Sequence, residues 1–400
     1  MNSNNTKQLR VFADYSSNRI SCSKLTSENY IGTDNLLQNK LGKISALYTP
    51  NAGATTGYFK GDILIANIRP YLKKIWYATN DGGSSADVLT LRVKTEHDSR
   101  YVYYALFRDD FFVHIMKGSK GTKMPRGDKD QILHFLIPDF DLSTQQKIAS
   151  VLFTIDSKIE LNNRVNGELE KMAKTLYDYW FVQFDFPNNN GKPYKTSGGK
   201  MVWNEELKRE IPEGWEAKTL FEGMDVQYGF PFDTTKFTDD ATQKPVIRIR
   251  DILENTISTY STEEVNDKYR LRSKDLLIGM DGNFHLNFWD KDGAYLNQRS
   301  VRIRSRENLE VSNFQVLFEL TPHIKAREKN VSRTTVGHLS DKDLKRLFVI
   351  SSKKTETFKP KETFDLLLLK IISNRIQNQK LSELRNWLLP MLMNGQVKVT

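Results

Sequence analysis

The stretch STQQKIASVLFTIDSKIELNNRVNGELEKMAKTLYDYWFV, Ser143–Val182, carries the reading that decides the fold. Its stripe steps alternately by four and three through Ile148, Leu152, Ile155, Ile159, Asn162, Asn166, Leu169, Ala173, Leu176 and Trp180. A four-three apolar stripe is the seam of a long helix packed on another helix. Shifting by 212 residues lands on a second stripe between Lys361 and Met393: Phe364, Leu367, Ile371, Asn374, Asn378, Leu381, Arg385, Leu388 and Leu392. Both stripes are interrupted by Asn at the same two steps. An amide in such a seam lowers stability but fixes register and partner, so Asn162 and Asn166 are expected opposite Asn378 and Asn374. Ser143-x-x-Gln146 predicts a capping box at the first helix start. Gly395 predicts the stop of the second helix, and Pro390 a kink or fraying just before it.

The repeat extends beyond the helices. Lys60–Ile65 resembles Ser273–Ile278, and Asp128–Phe135 resembles Asp341–Phe348, both at an offset of 213 residues. Two copies at so long a period indicate duplication of a whole domain-plus-helix unit rather than a solenoid. The predicted strands include Asp62–Ile68, Val88–Val93, Val246–Ile249, Asp275–Ile278 and Ser300–Arg304, with a short helix at Tyr101–Met116. The fold class is therefore α+β. Expected boundaries are 1–141 and 214–358 for the globular domains, 142–186 and 359–400 for the long helices, and 187–213 for a linker with Trp215 as an anchor behind it.

Four hundred residues give room for sizeable cores, and a formal charge of +10 points to polyanionic partners. A single cysteine, Cys22, rules out an internal disulfide and fits a reducing cytosol. The polar start Met1–Lys7 lacks the apolar core of a signal peptide, and no apolar run is long enough to span a bilayer.

Catalytic motifs are sparse. The six histidines show no metal-ligand spacing. Gly118–Lys123 lacks the spacing of a phosphate loop, and no Gly-x-Gly-x-x-Gly follows a strand. Asn67-Ile68-Arg69-Pro70-Tyr71 departs from the Asn-Pro-Pro-Tyr motif of amino-methyltransferases by lacking the first Pro. Pro138-Asp139 followed by Asp156-Ser157-Lys158 spells a metal-nuclease pattern, but its second part falls on the long helix, where it reads as solvated side chains.

Recognition chemistry remains. Lys120, Thr122, Lys123 and Arg126 in the first half match Lys329, Ser332, Arg333 and Thr334 in the second: basic loops carrying small hydroxyls. Ammonium and guanidinium groups neutralise phosphates, and Arg forks and hydroxyls read base edges. A second pair of loops follows matched strands, with Asn67, Arg69, Lys73 and Lys74 in one half and Asn283 and His285 in the other. Arg248 and Arg250 alternate with Ile247 and Ile249, so both are expected on one sheet face. Arg69 and Arg250 read equally well as braces for local carboxylates.

Leu142–Ala149, Asp156–Arg164, Tyr179–Phe184 and the segments Gly191–Lys195, Ser197–Val202 and Ile211–Trp215 together resemble the specificity subunit of type I restriction–modification systems, over nearly the whole chain. The resemblance implies two similar target recognition domains separated by two long antiparallel coiled-coil helices in a pseudo-twofold arrangement. Each domain would read half of a bipartite, asymmetric site in double-stranded DNA, and the helices would set the gap. It further implies two methyltransferase subunits and restriction/translocase subunits as partners. S-adenosylmethionine and ATP would bind those partners, with no cofactor or metal in this non-catalytic chain. Tyr177, Tyr179, Phe181 and Phe184 would either dock the methyltransferases or fill the helix–domain junction. A stand-alone DNA adenine methyltransferase and a coiled-coil scaffold without a DNA role are the competing readings.

Overall fold

Two four-stranded antiparallel sheets with the same strand order show the duplication most directly. One runs Ala13–Tyr15, Val88–Val93, Ile63–Ala66, Ile75–Tyr77; the other Met224–Tyr228, Ser300–Ser305, Leu276–Gly279, Leu286–Phe288. Ile63 faces Leu91 in the first as Leu276 faces Ile303 in the second. The computed structural model describes residues 5–282, 284–329 and 337–399. The chain divides into two units: residues up to Ile159 with those from Lys380 onward, and Glu160–Gln379.

Side-chain alternation explains each sheet's two buried faces. Ile63 and Ile65 pack on the helices Ser99–Leu106 and Asp109–Lys117, while Leu64 and Ala66 pack toward Ile31, Tyr58 and Trp76. In the second unit Leu276 and Ile278 join the large core around Phe314, and Leu277 turns to Trp289 and Leu296. The single helix expected over Tyr101–Met116 is two. Phe107 is buried at the break, Arg108 is extended, and Asp109 and Asp110 open the next helix where its N-terminal dipole favours acids.

The same ion pair holds the central strand of each sheet. Arg92 grips Asp62 through two bonds of 3.0 and 2.7 Å, and Arg304 grips Asp275 through two of 2.7 Å. Each carboxylate also accepts a backbone N–H three residues earlier, from Phe59 and from Arg272.

The second sheets differ. Both contain one parallel pair, Tyr30–Ile31 with Gly83–Ser84 and Val246–Ile247 with Tyr295–Leu296. In the first unit Ala54–Tyr58 joins the later strand of that pair; in the second Thr259–Ser261 joins the earlier one. Glycine explains the swap. A Cβ at Gly82 would lie 2.0 Å from the Asn29 carbonyl and one at Gly83 2.8 Å from Thr55, so only glycine lets that strand sit between two neighbours. The equivalent strand in the second unit carries Tyr295 and Leu296 and stays at the edge.

The long helices are α1, Leu142–Tyr177, continued by one wider turn Asp178–Val182, and α2, Pro360–Met393. Asp141, not Ser143, caps α1: its carboxylate accepts the Thr144 N–H at 2.9 Å and the Thr144 hydroxyl at 2.8 Å. Ser143 is exposed, and Gln145 beside it is buried, accepting the Asp98 N–H at 3.0 Å. Pro390 lies inside α2, whose last turns still bury Leu392 and Met393. In the first unit Ile148, Ala149 and Leu152 meet Leu389, Leu392 and Met393; in the second, Ala173 and Tyr177 share a core with Phe364, Leu368 and Ile372. The buried stripe is wider than the seam because each helix also roofs its globular domain.

Asn162, Asn166 and Asn374 are buried. In the second unit Asn162 donates to Asn378 at 2.8 Å, and Asn374 donates to Asn166 at 2.8 Å. Asn166 in turn donates to the Ile371 carbonyl at 3.3 Å, and Asn378 to Asn163 at 2.8 Å. Rising numbers on α1 meet falling numbers on α2, so the helices run antiparallel there. Arg385 resolves its place in the seam through a 2.6 Å bond to Asp156, which also accepts the Tyr104 hydroxyl at 2.7 Å. Asp156 is therefore a structural partner rather than a solvated side chain.

The stretch 187–213 folds instead of tethering: Met201–Asn204 pairs with Arg209–Pro212, Tyr194 stacks on Phe186, and Phe186 stacks on Trp215. Tyr177, Phe181 and Phe184 are buried in the junction, and Tyr179 keeps an exposed face.

Asn374→Leu alone should destabilise by about 1–3 kcal/mol, because Asn166 loses its partner in a buried site. Replacing Asn162, Asn166, Asn374 and Asn378 together by Leu should recover that loss, as read by denaturant unfolding. An unchanged single variant would remove the amides from the seam's energetics. Arg304→Met should cost about 3 kcal/mol, since it strands Asp275 in the core.

Glu319 gives a pH handle. The residue is half-buried overall, accepts from Gln315 Nε2 at 2.9 Å and from the Ile350 N–H at 3.3 Å, and its other oxygen is buried without a partner. Burial pushes its carboxyl up to about 8. The folded chain thus keeps a proton that the unfolded chain releases near the ordinary value of 4.5. Stability from this group is full below that value and falls as pH rises toward 8. The melting temperature of Glu319→Gln minus that of the parent should therefore grow between about pH 5 and pH 9. A constant difference would show that Glu319 is ionised throughout.

Candidate nucleic-acid interface

Each unit gathers three chain segments at one end of its first sheet through the same backbone bonds. In the first unit Asn67 follows the strand Ile63–Ala66 and donates its N–H to Asp87, at 2.8 Å. The Asn67 carbonyl accepts the Gly127 N–H at 3.2 Å, and Arg69 donates to the Pro125 carbonyl at 2.8 Å. In the second unit Met280 donates to Arg299 at 2.8 Å, accepts from Leu339 at 2.8 Å, and Gly282 donates to Gly337 at 2.9 Å. Ile68 bridges Arg126, and Asp281 bridges His338. Residues 67–69 are thus stitched to 125–127 in the first unit, and 280–282 to 337–339 in the second.

The basic loop of the first unit is a small hairpin. Lys120 and Arg126 exchange both backbone bonds, at 2.9 and 3.0 Å, and Gly121 turns the chain at φ +95°, a conformation other residues adopt only with strain. Lys120 is 87% exposed, 3.9 Å from Asp128, and Thr122 and Lys123 are exposed at the tip. Arg126 donates to Asp87 at 3.1 Å. These four side chains are exposed together on the one hairpin.

The neighbouring loop is more committed. Arg69 and Lys73 both sit at φ 51°, flanking the short 3₁₀ turn Pro70–Leu72. Asn67 Oδ1 and Arg69 Nε are buried without a hydrogen-bond partner, so neither atom reaches outward. Lys73 lies 3.0 Å from Asp109, which Lys40 also grips at 2.8 Å. The hydrogen bond from Lys40, joined by Lys73, holds the Asp109 carboxyl below its usual range. Lys74 donates to the Thr33 carbonyl, and burial lowers its pKa. Lys73 is thus paired with an exposed carboxylate, and Lys74 with a backbone carbonyl.

In the second unit the strand expected to carry Arg248 and Arg250 ends at Ile247. Arg248 precedes the short helix Ile249–Ile252, with its guanidinium over Phe237 at 5.7 Å, and Arg250 lies within that helix. The two do not share a sheet face. Arg250 braces Ser258 and Thr259 at 3.1 and 3.3 Å and lies 3.9 Å from Asp251. His285 is half-buried, and its carbonyl accepts the Gly279 N–H at 2.9 Å. Asn283, Ser332, Arg333 and Thr334 lie outside the described residues, as does the side chain of Lys329, which closes the helix Asn313–Lys329.

Sequence reading missed Asp87, Arg299 and His338. Arg299 pairs with Asp281 at 3.5 Å, and His338 Nδ1 donates to Asp281 at 2.7 Å. The signal was present: the offset of 212 residues that aligns the strands Val88–Val93 and Ser300–Ser305 also aligns Asp87 with Arg299 and Arg126 with His338. Among the described residues no cluster of His, Cys, Asp or Glu is arranged to hold a metal, and no helix is long and apolar enough to cross a membrane.

Each unit is an α+β domain roofed by parts of the two long paired helices. The sequence matches the type I restriction modification DNA specificity domain twice, over residues 15–171 and 212–385, and the chain belongs to that family. It is 27% identical over 354 residues to the type I restriction enzyme MjaIX specificity subunit of Methanocaldococcus jannaschii, covering 85% of this chain and 78% of that one. To the HindI specificity subunit of Haemophilus influenzae it is 23% identical over 438 aligned residues, covering 92% and 94%. The crystal structure of a type I restriction–modification S subunit from M. genitalium shares the fold, with a TM-score of 0.56 at 16% identity over 98% of this chain and 97% of that one. The chain is a DNA specificity subunit of a type I restriction–modification system.

Proposed function

We propose that each unit reads one half of a bipartite, asymmetric site in double-stranded DNA, and that all bond-making is left to partner subunits. The observation that carries this reading is the stitched loop junction, built twice on one backbone frame but dressed with different side chains. A common frame gives two readers of one kind; different side chains give two different half-sites. The exposed Lys120, Thr122, Lys123 and Arg126 supply phosphate and base contacts in the first unit.

The partners in this reading are two methyltransferase subunits and restriction/translocase subunits. S-adenosylmethionine and ATP bind to those proteins, this chain needs no cofactor or metal, and the complex works in the cytoplasm. The family match supports this division of labour.

Purified chain should shift duplex DNA in a gel with an affinity that falls steeply with salt. Lys120→Glu with Lys123→Glu should weaken binding to every sequence by about 10–100-fold and flatten the salt slope by about two. Equal affinity for the double variant would take this hairpin off the DNA. The chain alone, given labelled S-adenosylmethionine and DNA, should transfer no methyl group; transfer by the isolated chain would favour a self-sufficient methyltransferase instead.

A further inference from the structure

The stitched junction holds an ionic group that changes its arrangement between the units while the backbone stays the same. Three equivalent positions carry Ile68, Asp87 and Arg126 in the first unit and Asp281, Arg299 and His338 in the second. The acid precedes a strand in the first unit and follows one in the second. The arginine moves the other way, from the hairpin to the residue ahead of the strand. In both, one carboxylate pairs with one arginine, Arg126 with Asp87 at 3.1 Å and Arg299 with Asp281 at 3.5 Å, and Arg299 Nη1 also lies 3.4 Å from His338 Nδ1, which leaves Nη2 as its outer donor. Both arginines remain open, 60% and 58% exposed, and Asp281 is further tied by His338.

We propose that Arg126 and Arg299 are matched guanine readers, one per half-site, and that Asp87 and Asp281 are the positioning residues that aim them. This rests on the reading of each unit as a DNA reader. A guanidinium is a planar fork with five N–H donors. When one edge is fixed by a carboxylate, the other is presented in a set direction at little further entropic cost. Two parallel N–H groups match the O6 and N7 acceptors that guanine alone offers in the major groove. A lysine seeking phosphate needs no such brace; Lys120, 87% exposed and 3.9 Å from its nearest carboxylate, shows the contrast. Because brace and arginine trade places between the units, the two forks leave the same frame from different points. The two half-sites should therefore carry their guanines at different positions.

Arg299 has a backbone signature that fits a fixed aim. It sits at φ 65°, and its carbonyl is pinned by the Met280 N–H at 2.8 Å. A non-glycine residue held in that region is overdetermined by its surroundings, and such positions gather at functional sites.

The test selects bound sequences from randomised duplexes with the full-length chain, parent and variants side by side. Arg126→Lys and Arg299→Lys keep charge and length but lack the fork. Each should lose between about five- and a hundredfold of discrimination at a single guanine. The loss should fall in one half-site for Arg126→Lys and in the other for Arg299→Lys, with the rest of each motif intact. Asp87→Asn and Asp281→Asn should relax the same guanines less, because the fork remains but is loosely aimed. An unchanged motif in the Lys variants would overturn the proposal. So would a uniform loss across all sequences, which marks a phosphate contact, or an effect of both variants on one half-site. If the parent selects no bipartite motif at all, the reading of the units as DNA readers fails first, and separately.

Discussion

Burial of the long helices against two kinds of surface at once is the constraint on which the rest depends. Each half of α1 and α2 packs on the other helix and on the globular domain of its own unit. A helix that satisfied only its partner would need just the narrow four-three seam. Here Leu368, Ile372, Leu389 and Met393 lie beside that seam and are buried too. The helices are therefore part of each domain's core, and a shift of register would disturb the domains as well as the pair.

Polar groups in that seam act through satisfaction, not through their number. Asn162, Asn166, Asn374 and Asn378 hydrogen-bond within one unit, while Arg385 finds Asp156 in the other. An unpaired amide or guanidinium there would carry a desolvation penalty that no other contact offsets. Only an alignment that brings all of them to partners is tolerated, which is how groups that weaken a seam make it specific. Glu319 in the second unit meets the same demand differently: burial of its carboxyl raises its pKa and favours the neutral form.

The globular domains divide into a fixed part and a varied part. The first sheet, its Arg–Asp clamp and the three-segment junction recur with the same bonds in both units. The second sheet recruits its third strand from opposite sides, and the junction carries different side chains. A frame held by backbone bonds and one buried ion pair tolerates changes at its exposed positions, because those side chains contribute little to stability. Recognition can then change without refolding the scaffold.

Sequence alone was enough for the duplication, the α+β class, the two long helices and the position of the basic hairpin, because periodicity and repeated spacing are local properties written in residue order. It was not enough for Asp141 as the cap in place of Ser143, for the folded stretch 187–213, or for the end of a strand at Ile247 that left Arg248 and Arg250 off a common face. It also left Lys73 and Lys74 among surface cations, although Asp109 and the Thr33 carbonyl engage them. Nor did it bring Asp87 to Arg126, or Arg299 and His338 to Asp281, since those partners lie 39, 18 and 57 residues apart and meet only once three segments are stitched together. What a side chain can do depends on which partner claims its charge first, and that choice is made by distances in space that the order of residues does not contain.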